Sequence, residues 1–102
     1  MHYLAQIYRL TPSSELKKAL QSSLEFLQYS VHPDGSFGGE YGSRRTEVYY
    51  PGGVALLAGG FPLAAAIDRF MRRSIEELGT VTLVDIDMGN TAPLLSSAIL
   101  AL

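Results

Sequence analysis

Between Glu40 and Tyr50 the chain reads EYGSRRTEVYY, and residue types able to recognise a ligand are densest here. Arg44 and Arg45 carry planar guanidinium forks that grip a carboxylate or phosphate through paired hydrogen bonds. Tyr41, Tyr49 and Tyr50 supply ring faces, while Glu40 and Glu47 supply acceptors. A cleft lined by Glu40, Arg44, Arg45, Tyr49 and Tyr50 would suit a carboxylate, a phosphate or a sugar. A plainer use of the same groups pairs the arginines with Glu40 or Glu47 and lets the tyrosines cover helix ends. Other chemistry is thinly supplied. The run Asp85-x-Asp87-x-Gly89-Asn90 hints at a calcium loop, but residues 91–102 hold no acid that would complete one. His2 and His32 are the only histidines and have no partner at ligand spacing, so no metal site is expected. No Gly-x-Ser-x-Gly elbow, phosphate-loop lysine or dinucleotide fingerprint occurs, and no cofactor is expected.

These groups sit in 102 residues that are 47% hydrophobic and only 18% charged. One domain is expected from the length, with a thin margin of buried core. So apolar a small body suggests faces covered by another chain: a homo-oligomer, or the missing remainder of a longer protein. The net charge of −2 and the lack of a basic face argue against nucleic acid. Cysteine is absent, which removes disulfides, thiolate metal sites and thiol nucleophiles. The most apolar stretch, 52–67, is broken by four glycines and Pro62, so no transmembrane helix is expected. The N-terminus lacks the marks of a signal peptide, and a cytoplasmic location is the expectation that follows.

Helical periodicity dominates the rest. Leu16, Leu20, Leu24, Leu27 and Val31 form one apolar stripe over 12–30, with Thr11 as a possible cap and Pro12 at the first helical position. Residues 62–78 repeat the pattern through Leu63, Ile67, Phe70, Met71, Ile75 and Leu78, and Gly79 is placed to end that helix in a left-handed conformation. Shorter helices are expected over 3–9 and over 54–58, the latter bracketed by glycine pairs. The stretch 81–88 alternates like a strand but would have no partner, so it reads as a connector. A last helix is expected to open at Asn90 to Pro93, with Asp87 or Asn90 as its cap, and to run on through LLSSAILAL with an apolar face exposed.

The stretch FLQYSVHPDGSFGGEYG (26–42) resembles the repeat motif of the terpenoid cyclase and protein prenyltransferase superfamily. Phe26-Leu27, Asp34-Gly35-Ser36, Phe37 and Gly38 stand at the motif's spacing, with Val31 where the family has Gln and Phe37 in place of its Trp. The resemblance implies an (α/α) toroid of antiparallel helix pairs, in which this motif is a structural turn ending an outer helix. The residues fit that role by themselves. Asp34 can bond the backbone two residues on, Gly35 can take a positive φ, and Gly38 and Gly39 allow close approach beside Phe37. A second stretch, DIDMGNTA (85–92), resembles the Asp-x-Asp-Asp-Thr-Ala motif of squalene–hopene cyclase. Asp85 and Asp87 match its first two acids, Met88 replaces the third, and two residues are inserted before Thr91. By that resemblance Asp85 and Asp87 would be the catalytic acids of an isoprenoid cyclase.

The expected fold is therefore all-α, one helical domain over 1–102 built as a fragment of an (α/α) toroid of the terpenoid cyclase-like type. Too few helices are present to close such a barrel. Three functions compete: a non-catalytic scaffold or interaction piece, an isoprenoid cyclase-like enzyme using Asp85 and Asp87, and a carbohydrate-active toroid using Arg44, Tyr49 and Tyr50. The first is the expectation for these 102 residues as an isolated chain.

Overall fold

The computed structural model describes residues 1–39, 47–80, 83, 86 and 88–102. Among the described residues the chain is all-helical. It contains α1 (His2–Leu10), α2 (Ser14–Leu27) with a 3-10 turn (Gln28–Ser30), α3 (Pro51–Leu57), α4 (Pro62–Glu76) and α5 (Met88–Ala101). The only β pairing among these residues is one antiparallel bridge between Val31 and Phe37.

Helix α2 follows from its leucine spacing: Leu20 and Leu24 are wholly buried, and Leu16, Leu27 and Val31 pack against the same core. Its start differs from the expected one. Ser13, in extended conformation, caps the helix by accepting the Leu16 N–H at 3.1 Å. Thr11 instead closes α1, its hydroxyl donating to the Ile7 carbonyl.

Helix α3 lies at the centre. Pro51, Gly52, Gly53, Val54 and Leu57 are all buried, and the helix touches α1, α4 and α5. It begins three residues earlier than the glycine brackets suggested, because Gly52 and Gly53 are contact points and not breaks. A methyl group on Gly52 would stand 2.6 Å from the Ser97 carbonyl of α5, and one on Gly53 would stand 2.9 Å from the His2 Cα of α1. Two helices therefore cross α3 at adjacent bare backbone positions. Gly59 and Gly60, by contrast, have open space around them and mark the link from α3 to α4.

Helix α4 buries Ala64, Ile67, Met71 and Ser74, whereas Leu78 is 76% exposed. The left-handed residue at its end is Leu78, with φ of 57°, and not Gly79. Gly79 is needed for closeness instead: a Cβ there would meet the Ser74 Oγ at 2.9 Å. A branched residue with positive φ is strained by about 1 kcal/mol. Leu78→Gly is accordingly expected to raise stability by about that amount, a gain of roughly 5 °C in Tm by calorimetry.

Helix α5 begins at Met88, so Asn90 lies inside it and not at its cap. Its inward face is narrow. Leu94 and Ser97 are buried, and the Ser97 hydroxyl accepts the Gly52 N–H at 2.8 Å. Arg72 fastens the far end, donating from Nη2 to the Ala101 carbonyl at 2.7 Å and from Nε to Asp68 at 2.8 Å.

Candidate functional site

The DGSFG segment is a built turn. Asp34 Oδ1 accepts from both the Ser36 N–H at 3.0 Å and the Ser36 hydroxyl at 2.7 Å. The Ser36 hydroxyl, and then its N–H, hold the Asp34 carboxylate below its ordinary range. Gly35 and Gly38 have φ of 88° and 73°, conformations that a side chain would oppose. His32 Nε2 donates to the Gly38 carbonyl at 2.7 Å and ties the turn to the end of α2. On its other side the turn docks on α4, where the Ser74 hydroxyl donates to the Gly35 carbonyl. Asp34 Oδ1 thus takes both turn bonds, the structural role that the turn chemistry of the sequence assigns to it.

Phe37 projects from this turn edge-on to Tyr49, with ring centroids 5.2 Å apart. Tyr49 is only 3% exposed and belongs to the main hydrophobic core. Its burial comes from tertiary packing against the turn, which its polar sequence neighbours gave no sign of. Tyr50 beside it is half-buried and donates its hydroxyl to Asn90 Oδ1 at 2.9 Å, joining the loop to the first turn of α5. These two rings, with Phe37, Val54 and the start of α1, border a small cleft of about 270 Å³ that is mainly apolar. Of the candidate ligand groups, Tyr49 and Tyr50 are therefore brought together, while Glu40, Arg44 and Arg45 lie outside the described residues. Asp85 and Asp87, the candidate acids, also lie outside them.

The electrostatics near Tyr49 favour a resting phenol. Burial first, and then the charge of Asp68, push its pKa upward. Among the described residues, neither the Tyr49 hydroxyl nor Asp68 Oδ1 has a hydrogen-bond partner, though both are buried. A phenol held protonated is a poor base and a poor nucleophile at neutral pH. The same shift sets an alkaline limit. The unfolded chain ionises Tyr49 near its ordinary value of 10.0, whereas the folded chain resists. Its contribution to stability is full below that pH and is lost as pH rises beyond it. Tyr49→Phe, which keeps the ring, should move the alkaline unfolding midpoint upward by circular dichroism; an unchanged midpoint would contradict this. Among the described residues, no three metal-ligating side chains come together.

What the described surface does offer is uncovered apolar area. On α1, Tyr3, Ile7 and Leu10 form an exposed row, with Leu4 beside it. On α5, Met88, Leu95 and Ile99 are 94%, 47% and 59% exposed, in line with exposed Ala92 and Leu102. No helix among the described residues is long and apolar enough to cross a membrane. No protein-family model, curated protein or solved structure matches this chain.

Proposed function

We propose that the chain is a non-catalytic helical scaffold that docks partner chains through its apolar helix faces. The observation that carries this is the two-sidedness of α5. Leu94 and Ser97 already satisfy its packing on α3, yet Met88, Leu95 and Ile99 remain in water on another face. Each large apolar side chain that a partner covered fully would contribute about 1.5–3 kcal/mol, so such a face is a reserve of docking free energy. Scaffolding of the (α/α) toroid kind is part of the proposal. Its support is the resemblance of the DGSFG segment and the way that turn joins the end of α2 to the end of α4.

A hydrophobic-surface dye tests the proposal. The folded, dilute chain is expected to bind the dye while keeping its tyrosine near-ultraviolet circular dichroism, which separates exposed native faces from a molten state. Ile7→Glu and Ile99→Glu should each lower the dye signal without loss of helix. A folded chain that binds no dye would overturn the docking reading.

A further inference from the structure

We infer that the occupant of the exposed α5 face is α5 of a second copy of this chain. The inference rests on the docking proposal and names its partner. Met88, Ala92, Leu95, Ile99 and Leu102 follow one another at intervals of four, three, four and three residues, and all five are exposed. That alternation is the spacing of a two-helix coiled-coil seam, in which side chains of one helix enter spaces on the other; α5 carries it from Met88 to Ile99, and Leu102 follows just past the helix end. A helix that only covers its own core needs no second seam on its outer side.

The residues flanking the seam say which partner fits. Gly89, Thr91, Ser96 and Ala98 occupy the edge positions where charged side chains normally select a different partner or repel an identical one. None of them is charged, and α5 as a whole carries no charged residue. Two identical helices can thus meet without like-charge repulsion, whereas a foreign helix would find nothing to recognise. Small residues at the edges also let the backbones come close. A membrane surface fits less well, because interfacial helices carry Lys or Arg on their polar side and α5 has neither.

The exposed fractions of Met88, Leu95, Ile99 and Leu102 amount to about three whole side chains per copy. A symmetric seam would cover twice that. Because a two-fold interface uses the same patch on both copies, one substitution is felt twice.

Sedimentation equilibrium of the 102-residue chain tests the inference. The wild type is expected to pass reversibly, with rising concentration, from 11.1 kDa to twice that mass. Leu95→Glu and Ile99→Glu should each weaken association about a hundredfold or more. The milder Ile99→Gln should weaken it less, with helix content unchanged in all three by circular dichroism. Ile7→Glu, on the α1 face, should leave it unaltered. A dimer indifferent to the α5 changes, or one lost with Ile7→Glu, would overturn the inference. So would a chain that stays single but sediments with phosphatidylcholine vesicles. A single-copy chain that still binds the hydrophobic dye would sink the second copy and leave the docking proposal standing. One that binds no dye would sink both.

Discussion

Gly52→Ala is expected to destabilise the chain by about 2–3 kcal/mol, because the added methyl has nowhere to go. Its carbon would lie 2.6 Å from the Ser97 carbonyl oxygen, and 3.1 Å from both Leu100 Cβ and Ser97 Oγ. The nearest of these is helix backbone, which cannot rotate aside. Helix α5 must therefore move outward from α3, and the buried bond from the Gly52 N–H to the Ser97 hydroxyl is stretched or lost. An orphaned buried N–H alone costs about 1–3 kcal/mol. Against this stands the higher helix propensity of alanine, worth up to about 1 kcal/mol, which does not offset the clash. Thermal melts should show a Tm drop of roughly 10–20 °C for a domain of this size. Gly60→Ala is the control, since its position is open and its backbone ordinary, and it should change stability by no more than about 0.5 kcal/mol. Equal stability of Gly52→Ala and wild type would mean that α5 does not sit where it is described.

How far the sequence reveals this arrangement depends on the element. The leucine repeat of α2 is legible because its polar residues leave one side unambiguous, and Leu20 and Leu24 are indeed its buried points. The cap is not legible, because Thr11, Pro12 and Ser13 are all good helix starters and only the chain's path from α1 decides that Ser13 caps α2. Gly52 and Gly53 looked like breaks, since glycine is a poor helix former, and close approach of a neighbouring helix is invisible until that neighbour is placed. Tyr49 looked like a ligand contact because of its polar neighbours in sequence. Its burial comes from tertiary packing in the core, where Phe37, twelve positions away, meets its ring. The docking of the turn on α4 through Ser74 and Gly35, 39 positions apart, could not have been read either. The apolar exposure of the last helix was expected, but which side faces inward was not, because a helix with no charged residue has no wet side to mark.

Helix α5 is where the account stands or falls, and adjacent leucines separate its two faces. Leu94 is 5% exposed and packs inward, whereas Leu95 is 47% exposed on the outer row. Leu94→Glu puts a carboxylate into apolar packing and removes a buried side chain, a loss of about 4 kcal/mol. That is a large part of the stability of a domain this small. Leu95→Glu keeps two methylenes along the half of Leu95 that the fold covers and takes away mainly outward apolar surface, so its cost should stay within about 0.5 kcal/mol. The decisive measurement is a pair of thermal melts of these variants against wild type, at a dilution where each sediments as a single copy. The predicted result is a Tm lowered by roughly 20 °C for Leu94→Glu and unchanged for Leu95→Glu. If Leu95→Glu melts as early as Leu94→Glu, α5 has no spare face, and the docking account is wrong.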